Sequence, residues 1–346
     1  MRHAEFILAS HGDESEFSDL SPKIAIFRAF HYIFLMQNSQ TSLKGVLILL
    51  FTAFIWGVSF VSQSAGAEYV QPFTFMAIRT LMGGFVLLPF IFARDKISAK
   101  NMSQKDLEIR KKQDKKTIFC GIILGLFLCP ATNLQQFAFN YSTAGKIAFI
   151  TAAYIFFVPL IGLFFKKRIP LITWISIVFG FVGIYFLSFA KGSSFGDLNK
   201  GDVLTFFCAL FFTGQILLIE KFAKNCDGLK LSCVQFFTDG IITFILMLIF
   251  EEPKWSAIKS AAIPLLYSGI FCCGLAYTLQ IVGQKNCEST IASLIMCMES
   301  VFAVLSSALL LHERLTGREI AGCAIMFGAI LPSNCSDILR ARKKGK

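Results

Sequence analysis

Charge is scarce in this sequence. Only 16% of its 346 residues are Asp, Glu, Lys or Arg, against roughly 25% in an ordinary soluble domain. Histidine is scarcer, at four. The eleven cysteines include no C-x-x-C pair, and most lie inside apolar runs. Without paired spacings or clustered histidines, neither a disulfide framework nor a zinc site is indicated. The cysteines read as small packing residues, and no metal or cofactor is expected. No G-x-x-x-x-G-K-[ST] loop occurs, so ATP-driven pumping within this chain is not indicated. No G-x-S-x-G or H-E-x-x-H occurs either, so an intramembrane hydrolase has no nucleophile or metal to build on, and the chain does not read as an enzyme.

Apolar residues fill the space that charge leaves. They make up 55% of the chain, with 39 Phe and a mean hydropathy of +0.64. A polytopic membrane protein, all-α, is the reading that fits. The formal net charge of +11 sits in segments between apolar runs, where topology signals belong; no nucleic-acid partner is indicated.

The hydropathy pattern gives ten spans, near 43–64, 72–93, 117–139, 143–165, 170–190, 201–223, 231–250, 261–283, 289–311 and 316–332. Residues 1–42 form a tail. Its stretch Ile24–Met36 is too short and too charged to span; it reads as an interfacial helix, a disordered leader, or a sign that Met36 is the true start. No signal peptide is indicated. Residues 333–346 are a basic tail. With the N-terminus inside, Lys and Arg divide 25 to 6 in favour of the cytoplasmic segments. That bias places both termini in the cytoplasm.

The chain also repeats itself. Gly45 through Arg79 aligns with Gly201 through Gln235 at an offset of 156, pairing Ala53 with Ala209, Trp56 with Phe212 and Arg79 with Gln235. Later segments align at 146, pairing Tyr154 with Ser300 and Arg168 with Arg314. The difference is absorbed by a basic loop at 94–116. Two halves of five spans follow, 43–190 and 201–332. An odd number per half turns the second copy over, which gives an inverted repeat.

LILLFTAFIWGVSFV at 47–61 and QPFTFMAIRTLMGG at 71–84 resemble the first two helices of the EamA-type family of proteins in the drug/metabolite transporter superfamily. AFITAAYIFFVPLIGLFF at 148–165 is similar to its fourth, and GDVLTFFCALFFTGQILLIEKFA at 201–223 to the start of its second repeat. MESVFAVLSSALLLHERLTGREIAGCAIMFGAIL at 298–331 resembles its ending. The resemblance implies a ten-helix transporter of small metabolites working by alternating access. Two departures stand out. Ser300 replaces a frequent proline, which implies a straighter ninth helix. Lys166-Lys167-Arg168 replaces the acidic turn of the first half.

A substrate site is expected between the repeats near the midplane. The candidates are polar or aromatic residues deep in spans: Trp56, Ser59, Gln63, Asn133, Gln136 and Tyr154 in the first half. In the second they are Phe212, Gln215, Tyr277 and Gln280. Amides can donate and accept towards a zwitterionic or neutral substrate, and aromatic rings add apolar faces and cation–π capacity. Any single amide can equally well bond across helices. Glu299 and Asp239 are candidates for proton coupling. The alternative is a structural ion pair with Arg79 or Lys146, and Arg79 could instead snorkel outward. Gly121/Gly125 and Gly180/Gly183 are expected to let helices approach closely, and Pro130 and Pro159 to kink theirs.

The expected function is secondary transport of small organic metabolites across the plasma membrane, amino-acid-like compounds first, with export favoured on the resemblance alone. A nucleotide-sugar or phosphorylated-metabolite exchanger is the alternative within the superfamily. A non-transporting receptor or scaffold is the alternative outside it. The expected partners are a small-molecule substrate and the lipid bilayer; monomer and homodimer remain open.

Overall fold

The computed structural model describes residues 43–99, 102–142, 144–165, 169–188, 199–285, 287–310 and 316–329. The two tails, Lys166–Arg168 and the turn at 312–315 lie outside the described residues. Among the described residues the regular structure is helical. The helices are α1 (Leu43–Ala67), α2 (Pro72–Ala99), α3 (Gln104–Ala138), α4 (Ala144–Thr151), α5 (Tyr154–Phe164), α6 (Leu171–Ser188) and α7 (Lys200–Phe222). They continue as α8 (Gly228–Phe250), α9 (Trp255–Ser260), α10 (Ala262–Gln284), α11 (Ser289–Met296), α12 (Met298–Leu310) and α13 (317–329). Among the described residues eight segments are long and apolar enough to cross a membrane: α1, α2, α3, α4–α5 from Lys146, α7, α8, α10 and α11–α12 to Ser306. The apolar part of α6, Leu171–Phe186, is shorter.

The α11–α12 segment is central. Every residue from Ser289 to Val301 is buried. Ile291, Leu294, Ile295 and Val301 form one core cluster with Leu49 and Ala53 of α1, Ile155 and Val158 of α5, and Ile177 of α6. Large apolar side chains such as Phe90, Phe119, Phe164 and Leu248 point outward and are exposed. An outside this apolar is what hydrocarbon rather than water tolerates.

Glycines set the closest approaches. A Cβ on Gly57 would lie 2.5 Å from Phe302 Cβ and 2.8 Å from the Ala303 nitrogen, so α1 rests against the backbone of α12. On α3, Gly121 would meet Val234 Cβ at 2.6 Å and Gly125 the Gln235 carbonyl at 2.8 Å. Both therefore face α8. Gly183 lies against α13, 3.1 Å from the Gly322 carbonyl by the same measure.

Three features depart from the hydropathy reading. The loop expected at 94–116 is mostly helical, because α2 runs on to Ala99 and α3 begins at Gln104. A capping box between Ser103 and Asp106 starts α3. Asp106/Arg110 and Glu108/Lys112 then place opposite charges four residues apart. The ninth span is not straighter but broken at Cys297, and the fourth is broken at Ala152–Ala153. At these points bonds tighten to the third residue back: Ala153 N to Ile150 O at 3.1 Å and Ser300 N to Cys297 O at 3.1 Å. Pro130 and Pro159 lie within continuous stretches of α3 and α5. Finally, α10 carries an eleven-residue π-helical stretch, Tyr267–Tyr277.

Polar groups hold the helix ends. Where α2, α3 and α8 end together, Arg94 pairs with Asp227 at 2.6 Å, Arg110 pairs with Asp95, and Lys230 reaches Asp95 at 2.8 Å and Asp114 at 2.7 Å. At the other end of the bundle, α2 starts on Pro72 and finds its cap on another helix. Glu251, just past α8, accepts from the nitrogens of Phe73 (2.8 Å) and Thr74 (2.7 Å) and from the Thr74 hydroxyl (2.7 Å). The amide of Ser289 at the start of α11 likewise donates to Glu220 of α7 at 3.2 Å.

Two substitutions test this packing by thermal unfolding of purified protein. Gly125→Val should push α3 off α8 and cost on the order of 1–3 kcal/mol. Glu251→Ala should strip the cap from α2 at a cost of about 1 kcal/mol, lowering the melting temperature less. Wild-type melting of the Gly125 variant would mean that the α3–α8 contact is looser than the glycine geometry requires.

Candidate functional site

Helices α1 to α5, α7 and α10 to α12 contribute side chains to one cavity. Its volume is about 40 Å³, taken as the space open to the centre of a water molecule. That is room for a few waters, since each needs roughly 10–15 Å³ on this measure. α1 contributes Trp56, Ser59, Phe60 and Gln63, and α2 contributes Arg79. Gln135 comes from α3, Thr151 from α4, Tyr154 from α5, and Phe212 and Ile216 from α7. Cys272, Tyr277 and Gln280 of α10, with Met296 and Glu299 on either side of the Cys297 break, close it.

Of the residues singled out in the sequence, Trp56, Ser59, Gln63, Arg79, Tyr154, Phe212, Tyr277, Gln280 and Glu299 line this cavity. Trp56 and Tyr277 pack ring against ring, centroids 4.8 Å apart. Trp56 and Phe212, equivalent in the two repeats, both reach the wall. Gln63 donates to the Ser59 hydroxyl at 3.3 Å.

Glu299 is only 5% exposed and accepts from the Tyr154 hydroxyl at 3.2 Å. Both residues follow helix breaks, and the breaks themselves approach each other, with Cys297 Sγ 4.0 Å from the Ala152 carbonyl. Titratable neighbours of Glu299 besides Tyr154 are Cys208, Cys272, Tyr277 and Cys297. Among the described residues no cation pairs with it. Arg79 does not snorkel. It is 2% exposed and donates through Nε to Cys273 Sγ at 3.4 Å and through Nη2 to Cys272 Sγ at 3.1 Å. Its Nη1 and the Trp56 indole nitrogen have no hydrogen-bond partner.

Asn133, Gln136, Gln215, Asp239 and Lys146 are absent from the cavity wall. Asn133 and Asp239 belong to the α3–α8 interface. Asn133 donates to Thr243 at 2.8 Å; Asp239 accepts from Thr243 at 3.0 Å and Thr132 at 3.3 Å. Gln136 reaches the Gln63 carbonyl at 3.5 Å. Gln215 lies one step behind the wall, exchanging amide bonds with Gln280 at 3.3–3.4 Å. The structural pairs considered between these acids and Arg79 or Lys146 do not form. Lys146 instead binds Asp202 at 2.6 Å, and Asp202 also serves the capping box that starts α7 with Asn199. Gln135, Thr151 and Cys272 are wall residues that sequence reading passed over. Gln135 adjoins a chosen residue, and only the helical phase of α3 separates the two.

The EamA-like transporter family profile matches this chain twice, at residues 43–189 and 199–334. An uncharacterized transporter of Archaeoglobus fulgidus is 27% identical over 284 residues, covering 82% of this chain and 83% of the relative. One from Clostridium kluyveri is 24% identical, covering 83% and 92%. The uncharacterized transporter YvbV of Bacillus subtilis is 25% identical, covering 83% and 90%. A crystal structure superposes with a TM-score of 0.67 at 16% identity, over 84% of this chain and 96% of the other, which is a likeness of fold. With several apolar helices long enough to span and two family matches along its length, the chain is a multi-pass membrane protein that belongs to the EamA-like transporter family.

Proposed function

We propose that this protein is a secondary transporter of small organic metabolites in the plasma membrane, with amino-acid-like zwitterions as its leading substrate class and export as its direction. In this reading ten helices cross the membrane as two five-helix halves of opposite orientation, with both termini cytoplasmic. The observation that carries it is the buried polar cavity walled by helices of both halves and holding one guanidinium and one carboxylate. An exchanger of phosphorylated substrates would need several basic residues on the wall; Arg79 is there, and Lys146 is bound to Asp202.

The cavity has room for a few waters, so its walls part in transport to let a metabolite through. The breaks at Ala152–Ala153 and Cys297 and the π-helical stretch of α10 are the backbone positions on its wall best suited to bend. Protons enter this scheme at Glu299, which faces the cavity, rather than at Asp239, which is enclosed between α3 and α8.

Reconstitution into proteoliposomes tests the reading. Radiolabelled amino acids should move down an imposed gradient, faster with a proton gradient applied, while liposomes holding a scaffold or receptor would show no flux of any metabolite. Glu299→Gln should lower proton-driven flux by about tenfold or more and flatten its pH profile, because a buried carboxylate on the pathway is the group that carries the proton. Asp239→Asn should keep the wild-type profile. A Glu299→Gln protein with full pH dependence would remove Glu299 from the coupling role.

A further inference from the structure

Arg79 is a buried charge with incomplete company. A guanidinium offers five N–H donors and no acceptor, and burying one without an anion is costly. Its two hydrogen bonds go to the thiols of Cys272 and Cys273 at 3.1 and 3.4 Å, and thiols are weak acceptors. No carboxylate among the described residues is within ion-pairing distance, Asp239 acting on Arg79 only from farther off, and Nη1 of this wall residue is unpartnered. The Trp56 indole N–H on the same wall is a second unpartnered donor. Two orphaned donors on residues of one wall suit an acceptor with two oxygens, and hydrogen bonds from a charged donor to a carboxylate are the strong ones.

The opposite sign is supplied elsewhere on the wall. Glu299 has Oε1 occupied by the Tyr154 hydroxyl at 3.2 Å and meets no cation among the described residues. Tyr277 lies on the same cavity wall as Arg79 and Glu299 and packs its ring on Trp56 at 4.8 Å. The aromatic pair offers a face to an ammonium group or an apolar side chain.

We infer that Arg79, with the Trp56 indole N–H, is the carboxylate subsite and Glu299 the ammonium subsite for one zwitterionic substrate, held along the Trp56–Tyr277 wall. This rests on the transporter reading and sharpens it. Recognition then depends on both substrate charges at once. A molecule lacking its carboxylate leaves a guanidinium buried without an anion, and one lacking its ammonium leaves a carboxylate without a cation.

The test uses the purified full-length protein and the standard amino acids in three forms: free acid, carboxamide (carboxylate removed) and N-acetyl derivative (ammonium removed). Affinities are read from ligand-dependent melting shifts. For the amino acids that bind, the amide and the N-acetyl form should each bind about tenfold or more weakly than the free acid. In Arg79→Gln the preference for acid over amide should shrink to within about twofold, while that for acid over N-acetyl persists; Glu299→Gln should do the reverse. Arg79→Lys keeps the charge but not the fork, so part of the acid-over-amide preference should survive. That variant carries the test if Arg79→Gln does not fold. An undiminished acid-over-amide preference in either Arg79 variant overturns the assignment, as does equal binding of all three forms by the wild type. If no amino acid binds while another metabolite moves through proteoliposomes, the zwitterion assignment falls and the transporter reading stands. If nothing moves, both fall.

Discussion

A carboxylate set in an apolar helix constrains everything around it. Glu299 lies in a run of apolar and small residues, and a charge there costs on the order of 2.5–3.5 kcal/mol on insertion scales if it meets lipid. The α11–α12 segment therefore sits at the centre, with Ser289–Val301 buried throughout. Once it is central, its neighbours follow. α1 can rest on it only because residue 57 is a glycine, and α5 can satisfy Glu299 only by bringing the Tyr154 hydroxyl to it. Arg79 obeys the same rule from α2. The inside is polar because the charges have to be there, and the outside is apolar because little else is left in the composition.

The helices are least regular beside the cavity. Each of the two family-matched regions has a broken helix, at Ala152–Ala153 and at Cys297. The residues that follow, Tyr154 and Glu299, are joined by a hydrogen bond. α10 adds a π-helical stretch bearing Cys272 and Tyr277. The ends of the bundle are different in kind: charge pairs link α2, α3 and α8, and carboxylates of other helices cap α2 and α11. Cohesion at the ends with irregularity at the cavity is the arrangement that the proposed transport cycle requires.

How much of this the sequence discloses depends on how many solutions the physics leaves. The apolar runs and the inward placement of Glu299 are legible because hydrocarbon excludes the alternatives, whereas Arg79 has the outward route of snorkelling open to it. The phase of α3 is not legible. Asn133, Gln135 and Gln136 are all amides on one helix, and an apolar helix that is buried on several sides carries little periodic signal. Only packing against α8 decides that Asn133 bonds Thr243 while Gln135 reaches the cavity. The partner of Lys146 is equally hidden, because Asp202 is distant in sequence and looks like an ordinary first-turn acid. The helical extension of α3 across a segment read as loop was in principle readable from Ser103 and Asp106. Its dense charge masked it.

The choice of cysteines beside Arg79 is informative in the same physical terms. An aspartate or glutamate at position 272 would neutralise the guanidinium and tie α2 to α10 in a single arrangement, since breaking a buried pair costs several kcal/mol. Thiols fix the direction of the guanidinium through Nε and Nη2 without forming a carboxylate ion pair. In the zwitterion reading proposed above, the substrate carboxylate is the partner that completes this site. A binding energy that appears only when an anion arrives is one that can favour a closed state of the walls over an open one, which is what coupling occupancy to movement requires.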